Sequence, residues 1–260
     1  MGCVVGHAPN LPLAAMTTTG WEPGAEEGDG REESGGKVRQ ARYSPPPGAT
    51  EVLLVRHGES QPFDPREPFP LTDGHGDPPL DPRGHDQARR LAERLAHQRI
   101  AAIYVTSLCR TVETAAPLAA RLGIEPVVER DLREVYLGEW EGGLMRARKD
   151  DPVFARVWKD ERWDHIPGAE PNEAFSTRVG AGLARIAAAH PDERVAAVTH
   201  GGVIGQLLAD ATGSRPFAFV GADNASISHV VVTGDRVTLR RFNDTTHLEE
   251  GLSVVPEPPI

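Results

Sequence analysis

Short apolar runs that alternate with helical segments constrain the fold of this chain more than any other feature of its sequence. The runs lie at 52–55, 100–105 and 195–199, and each has the length and composition of a strand that is buried on both faces. Segments with apolar residues at helical spacing separate them: GHDQARRLAERLAHQ, SLCRTVETAAPLAARLG and NEAFSTRVGAGLARIAA. The second of these helices should end at Gly123. The alternation predicts an α/β fold, a three-layer sandwich in which a mostly parallel central sheet carries helices on both faces.

The two ends of the chain differ from its middle. Near the C-terminus, ISHVVVTGDRVTLRRF predicts a hairpin about Gly234–Asp235, which adds an antiparallel strand at the edge of the sheet. Residues 1–49 are rich in Gly and Pro and carry hardly any periodic apolar residues, a composition typical of a disordered tail. We therefore expect one domain at 50–250, between this tail and a short C-terminal tail at 251–260.

The composition excludes several classes of partner. The chain of 260 residues has a formal net charge of −10, which argues against nucleic acid and anionic membranes, because both need a positive face. No apolar stretch approaches the roughly 18 residues that a membrane span needs. The two cysteines, Cys3 and Cys109, cannot build a disulfide framework, so a reducing cytoplasm is the expected location. A small anionic substrate stays compatible with an acidic chain, and the oligomeric state is left open.

Two histidines directly follow predicted strands. Arg56 and His57 end the first apolar run and Gly58 follows, whereas His200 and Gly201 end the third run. Ligands of open α/β sheets bind at the carboxyl ends of the strands, so both histidines should lie on the binding rim. Glycines let the backbone approach a ligand, N–H groups at a helix start favour an anion, and a guanidinium fits phosphate oxygens. The sequence therefore predicts a phosphoryl-binding site with an imidazole placed to attack the phosphorus.

The segment LLVRHGES resembles the signature of the histidine phosphatase superfamily, also called the phosphoglycerate-mutase-like family. Four further segments match that family in its order: PLDPRGHDQARRLAERL at 79–95, TSLCRTVETA at 106–115, LREVYLGEWEG at 132–142 and VTHGGVIGQLL at 199–208. A short motif such as RHG is weak alone, but five segments in one order are not explained by chance. The resemblance implies the phosphoglycerate-mutase-like fold.

The resemblance also implies a role for each matching side chain. His57 would be the nucleophile and form a phosphohistidine, and Glu134 would protonate the leaving oxygen and then activate water. Arg56, Arg110 and His200 would hold the phosphate oxygens. No metal ion and no other cofactor is expected.

This chemistry sets conditions on the nucleophile and the acid. A nucleophilic His57 must be neutral, and its second ring nitrogen needs an acceptor, such as a backbone carbonyl, to fix the tautomer. A protonated Glu134 is valuable because an alkoxide is a poor leaving group. Glu139 and Glu141 are the alternative acids, and the choice of Glu134 rests on its spacing from the glycines of LGEWEG.

The segment after the nucleophile departs from the family pattern. Relatives often carry an asparagine that contacts the phosphate six residues after the nucleophile, where this chain has Phe63. Gln61 is a candidate substitute and, with Gly201, a candidate substrate contact. The proline-rich loop at 61–79 follows. Because loops at this rim set specificity, Arg66 and His75 are candidate substrate contacts, but solvated loop charge is the favoured interpretation.

Three functions are compatible with these residues. The LGEWEG form of the acid segment resembles the phosphatase branch more than the mutases, so a metal-independent phosphomonoesterase is the first hypothesis. The second is a phosphoglycerate-type mutase, which would have to exclude water and retain a phosphorylated cofactor. The third is a domain that binds a phosphorylated ligand without turnover. The substrate is expected to be a small phosphorylated molecule that the sequence does not identify.

Overall fold

The structure is a computed structural model that describes residues 40–248. This part of the chain contains five α-helices and eight strands. In chain order they are β1 (Thr50–Arg56), β2 (Leu71–Thr72), β3 (His75–Gly76), α1 (Pro82–Leu95), β4 (Ala102–Val105), α2 (Cys109–Leu122), β5 (Val127–Val128), α3 (Pro152–Asp160), α4 (Asn172–Ala189), β6 (Arg194–Thr199), α5 (Gly201–Thr212), β7 (Ile227–Thr233) and β8 (Arg236–Asp244).

A six-stranded sheet in the order β5-β4-β6-β1-β7-β8 forms the centre of the domain. The strands β5, β4, β6 and β1 run parallel, whereas β7 pairs antiparallel with β1 and β8 pairs antiparallel with β7. The turn between β7 and β8 begins at Gly234, whose φ is 59°. The predicted mostly parallel sheet and its antiparallel edge hairpin are both confirmed.

Successive residues of β1 pack against different helices. Val52 and Leu54 belong to the apolar cluster that includes the inner faces of α4 and α5. Leu53 and Val55 belong to a second cluster, which includes the inner faces of α1 and α2. A strand covered on both faces has no polar side, which explains its uninterrupted apolar run. The predicted three-layer arrangement is therefore confirmed.

Side chains and glycines at the helix ends set the limits of the helices. The helix α1 begins where Oδ1 of Asp81 accepts the N–H of Gly84, with Pro82 at the first helical position. The helix α2 ends at Gly123, as predicted, with a φ of 67° that glycine adopts without strain. The helix α5 begins directly after His200. The end of β6 and the first turn of α5 therefore meet at the rim of the sheet.

The limits of the domain stay a prediction. Of the predicted tail at 1–49, residues 1–39 lie outside the described part of the chain, and so does the whole C-terminal tail. Just before β1, the N–H of Gly48 donates to Oδ1 of Asp192 at 2.6 Å. Within residues 40–248, no helix has both the length and the apolar character needed to cross a membrane.

Candidate active site

The histidines that follow β1 and β6 lie side by side. Because these strands are parallel neighbours, with Arg56 opposite Thr199, the next residue of each emerges at the same edge of the sheet. The ring centroids of His57 and His200 are 5.2 Å apart, and 62° separates the ring planes. The side chains are buried, with 6% and 0% of their surface exposed. The structure thus brings the two histidines together on one rim.

Two groups with fixed hydrogen-bonding roles hold His57 in one tautomer. Its Nδ1 lies 2.7 Å from the carbonyl oxygen of Gly58, which can only accept, so Nδ1 carries the ring hydrogen. Its Nε2 accepts a hydrogen bond of 3.3 Å from Nε of Arg110, which can only donate, so Nε2 keeps its lone pair. Burial lowers the pKa of His57 well below its ordinary value, and the charges of Arg110 and Arg56 lower it further. The imidazole is therefore neutral.

The glycine after His57 lets the backbone of this loop pack closely on two helices. A Cβ on Gly58 would lie 2.7 Å from the carbonyl oxygen of Gly84 in α1. The N–H of Gly58 donates to Oγ1 of Thr114 in α2 at 2.9 Å. Because Arg110 lies in the same helix, this contact fixes the position of its guanidinium relative to the imidazole.

Two guanidinium groups flank His57. Nη1 of each donates to a backbone carbonyl, at 2.6 Å for Arg56 and 2.9 Å for Arg110. Burial lowers the pKa of both arginines, and the charge of Glu134 opposes this effect more than any other group. An arginine keeps its proton in proteins, so two positive charges lie beside the imidazole.

Glu134 lies at the N-terminus of α5. Its Oε2 accepts the N–H of Gly202 at 3.1 Å, and its Oε1 accepts the N–H of Val135 at 3.0 Å. A Cβ on Gly202 would lie 2.4 Å from Oε1, so only a glycine leaves room for the carboxyl group. Of the alternative acids, Glu139 is exposed and does not line the cleft described below, whereas Glu141 does.

The carboxylate of Glu141 is engaged by the backbone. Its Oε2 accepts the N–H of Gly76 at 2.6 Å, and its Oε1 accepts the N–H of Leu137 at 2.9 Å. Burial raises the pKa of Glu141. These contacts tie the β2–β3 hairpin to the acid segment, whereas the bond from Gly202 to Glu134 ties the acid segment to α5.

His200 presents one ring nitrogen without a partner. Its Nε2 lies 3.2 Å from Oγ1 of Thr106, and its Nδ1 has no hydrogen-bond partner within residues 40–248. Burial lowers the pKa of His200 well below its ordinary value, and the charge of Arg110 adds to the effect. When the hydroxyl of Thr106 donates to Nε2, the ring hydrogen resides on Nδ1, a buried atom that has no acceptor within residues 40–248.

An open cleft with an internal volume of about 140 Å³ gives access to Arg56, His57, Arg110 and Glu134, whereas His200 is fully buried and does not line it. Its charged and ionisable lining consists of Arg56, His57, His75, Arg110, Glu134, Glu141 and Arg146. Its apolar lining includes Phe69, Val135, Leu137, Trp140 and Met145. An adjoining, more apolar cleft of about 60 Å³ shares Arg56 and Glu134 and is also lined by Gly201.

The structure does not bring Gln61 into either cleft. Its side chain is exposed, and its backbone carbonyl accepts a hydrogen bond of 2.8 Å from Nη1 of Arg146. Arg146 is a cleft residue that sequence reasoning missed. The available signal was the basic cluster in EGGLMRARKDD, but nothing in that pattern indicates which basic side chain faces the site.

The interpretation of His75 as solvated loop charge is wrong. Part of the loop folds into the β2–β3 hairpin, which leaves His75 only 7% exposed, in the cleft lining and 5.5 Å from the ring of Tyr136. Burial, with the charge of Arg133 as the next cause, lowers the pKa of His75 to about 4. Arg66, in contrast, is exposed and pairs with Asp64 at 2.6 Å.

Comparisons with known proteins agree with this geometry. The family model of the histidine phosphatase superfamily (branch 1) matches residues 52–245. Phosphoglycerate mutase-like protein 4 of Arabidopsis thaliana is 37% identical over 208 residues, which cover 77% of this chain and 87% of that protein. Phosphoserine phosphatase 1 of Hydrogenobacter thermophilus is 30% identical over 205 residues, which cover 77% of this chain and 95% of the relative. The solved structure of Bacillus stearothermophilus YhfR is similar with a TM-score of 0.67 and 28% identity, over 77% of this chain and 100% of that one. The chain belongs to the histidine phosphatase superfamily.

Proposed function

We propose that this protein is a metal-independent phosphomonoesterase that works through a phosphohistidine intermediate on His57. The observation that carries the proposal is the tautomer of His57, a neutral buried imidazole whose Nε2 lone pair lies 3.3 Å from Nε of Arg110. The lowered pKa of His57 means that this lone pair is available at neutral pH without loss of a proton. An imidazole that only binds an anion would present an N–H instead.

In the first half-reaction, Nε2 of His57 attacks phosphorus while the bond from phosphorus to the leaving oxygen breaks. Arg56 and Arg110 bind the equatorial oxygens, over which the charge of the transition state spreads. The N–H at Nδ1 of His200 donates to an oxygen of the same phosphoryl group. The ring of His57 gains positive charge, which the hydrogen bond from its Nδ1 to the carbonyl of Gly58 stabilises.

Glu134 is the proposed acid and base. Its protonated carboxyl gives a proton to the leaving oxygen, and its carboxylate then takes a proton from the water that attacks phosphorus. The bond from Nε2 to phosphorus breaks in this second step, which releases inorganic phosphate and returns His57 to its neutral form. Among the charged groups, Glu134 acts most on both arginines, which supports a position beside the phosphoryl group.

Metal independence rests on the two arginines. Their charges supply the electrostatic stabilisation that metal ions give in other phosphatases. We expect activity to survive exhaustive treatment with EDTA. Loss of activity that a divalent cation restores would contradict this part of the proposal.

The proposed substrate is a small phosphorylated molecule. The names of the relatives point to a phosphoserine phosphatase and to a phosphoglycerate mutase, so O-phosphoserine and 3-phosphoglycerate are the first compounds to assay. A phosphatase passes the phosphoryl group to water, whereas a mutase passes it to a second hydroxyl. Release of inorganic phosphate without formation of 2-phosphoglycerate favours the phosphatase, and the opposite result favours the mutase.

Rapid quench with a radiolabelled phosphomonoester tests the intermediate. We expect an acid-labile, base-stable phosphoprotein in the parent and none in His57→Ala, which should also lose turnover. His85→Ala, on the exposed side of α1, is the matched control and should be labelled like the parent. A parent that binds phosphate but shows neither label nor turnover would be a ligand-binding domain. Full turnover by His57→Ala would contradict the assignment of the nucleophile.

A further inference from the structure

Arg146 is a third arginine of the cleft, and the mechanism proposed above gives it no role. It lies in the short 3₁₀ helix Leu144–Ala147, which follows the acid segment. Its Nη2 donates to Oγ of Ser60 at 2.7 Å, and its Nη1 donates to the carbonyl oxygen of Gln61 at 2.8 Å. The guanidinium is therefore fixed on the loop that carries the nucleophile, three residues after His57.

An aromatic pair supports the guanidinium. Its central carbon lies 5.2 Å from the ring centroid of Phe69, and Phe63 packs edge-on against Phe69 at 5.6 Å. A Cβ on Gly143 would lie 2.4 Å from the ring of Phe63. The backbone just before the 3₁₀ helix of Arg146 therefore packs directly against this aromatic pair. The aromatic pair therefore supports the guanidinium of Arg146 beside the loop that follows His57.

The positive charge of Arg146 lacks a carboxylate partner at ion-pairing distance within residues 40–248, because both of its acceptors are neutral. Burial lowers its pKa, the charges of Arg110 and Arg56 lower it further, and Glu59 opposes them with the smallest effect. Arg146 in turn contributes to the lowered pKa of His57. The three like charges of the cleft repel each other. Asp77, 3.6 Å from Arg110, and Glu134 offset part of this repulsion, and a bound anion would offset more of it.

We propose that Arg146 is a third guanidinium ligand of the phosphoryl group, a binding residue whose role rests on the function proposed above. The anchor on Ser60 holds it on the loop that carries the nucleophile. Its charge acts on His57, and the charges of Arg110 and Arg56 act on it, so it belongs with the groups that surround the phosphoryl group in the proposed mechanism. A guanidinium has five N–H groups, so Arg146 has three left for phosphate oxygens after its two anchoring bonds.

Two substitutions at this position test the proposal. Arg146→Met removes the charge and keeps most of the side-chain volume. Arg146→Lys keeps the charge but loses the planar guanidinium with its paired N–H donors. Arg156→Met, at an exposed arginine of α3, is the matched control. The readouts are the dissociation constant of inorganic phosphate by calorimetry, the midpoint of thermal unfolding, and kcat/KM for phenyl phosphate and 3-phosphoglycerate.

We expect Arg146→Met to weaken phosphate binding by roughly 10- to 100-fold, the loss of one charge-assisted hydrogen bond. The variant should lower kcat/KM by a similar factor for both substrates, because both carry the same phosphoryl group. Arg146→Lys should recover part of each loss, and Arg156→Met should behave like the parent.

Unchanged phosphate binding in Arg146→Met would overturn the proposal. So would a loss confined to 3-phosphoglycerate, which would assign Arg146 to the carboxylate of that leaving group. Equal losses of phosphate binding in the Met and Lys variants, with equally lowered midpoints of thermal unfolding, would also overturn it. Arg146 would then stabilise the fold without binding the phosphoryl group. Labelling of His57 in the parent tests the proposed function separately, because phosphate binding through Arg146 does not require turnover.

Discussion

His75 should make the folded protein sensitive to acid. In the β2–β3 hairpin its pKa is about 4, against about 6.5 for a histidine exposed to water. Below pH 6.5 the unfolded chain therefore binds a proton that the folded protein does not yet accept. The stability that neutral His75 allows is fully present above pH 6.5 and is lost as the pH falls towards 4.

The size of this effect follows from the two pKa values. The pKa of His75 is about 6.5 in the unfolded chain and about 4 in the folded protein. This difference lowers the free energy of unfolding by about 2 kcal/mol between pH 7 and pH 4.5. Burial is the largest cause of the lowered pKa of His75, and the surrounding charges add to it. Arg133, Arg178 and Arg110 disfavour its protonation, and Glu170 favours it with a smaller effect. Oε1 of Glu141 lies 3.7 Å from Nδ1 of His75. Both carboxylate oxygens of Glu141 already accept hydrogen bonds from backbone N–H groups.

Urea denaturation of the parent, His75→Phe and His75→Asn at pH 7 and pH 4.5 measures this contribution. Phe keeps a ring against Tyr136 and Asn keeps a polar group, so the two variants will differ in stability at pH 7. Both lack the titrating ring, and both should lose about 2 kcal/mol less than the parent over this pH interval. Titrating groups remote from His75 contribute equally in the three proteins and cancel in the comparison. Equal losses in all three proteins would refute the reasoning.

Two further changes test the proposed acid. Glu134→Gln should slow the hydrolysis of ethyl phosphate by roughly 10²- to 10⁴-fold. It should slow the hydrolysis of p-nitrophenyl phosphate far less, because p-nitrophenolate is a good leaving group without protonation. Glu141→Gln should keep the leaving-group dependence of the parent, and a loss selective for ethyl phosphate in this variant would move the acid role to Glu141. Gly202→Ala places a Cβ 2.4 Å from Oε1 of Glu134 and should reproduce the leaving-group dependence of Glu134→Gln in steady-state assays. Gly180→Ala in α4, where a Cβ meets open space, is its control, and equal kinetics of the two alanine variants would contradict the placement of the carboxyl group.

The position of the two histidines could be predicted because each follows an apolar run directly. Runs buried on both faces belong to the central strands, and the carboxyl ends of parallel neighbours share one rim. His57 and His200 therefore follow from the pattern of residues alone. Arg110 does not, since helical periodicity places it in the first turn of α2 without saying what that turn faces. Only the resemblance to the family indicated its role.

The β2–β3 hairpin could not be predicted from the local sequence. Its strands are two residues each, too short for any periodicity, and remote segments hold it in place. The N–H of Gly76 donates to Glu141, 65 residues later, and Oδ1 of Asp77 accepts the N–H of Cys109. A proline- and glycine-rich segment has the composition of a solvated loop whether or not such contacts form. The burial of His75 is therefore a result of tertiary packing that composition does not encode.

A bound phosphate should change the effect of the arginines on the nucleophile. In the free protein, burial lowers the pKa of His57, and the charges of Arg110 and Arg56 lower it further. A bound phosphate dianion balances those charges, so the pKa of His57 should rise in the complex and its lone pair should become more nucleophilic. Because kcat/KM reports the free protein and kcat reports the complex, the acidic limb of kcat should lie at a higher pH than that of kcat/KM. Coincident limbs in pH profiles of the parent would mean that the bound phosphate does not neutralise these arginines, and the proposed clamp would have to be abandoned.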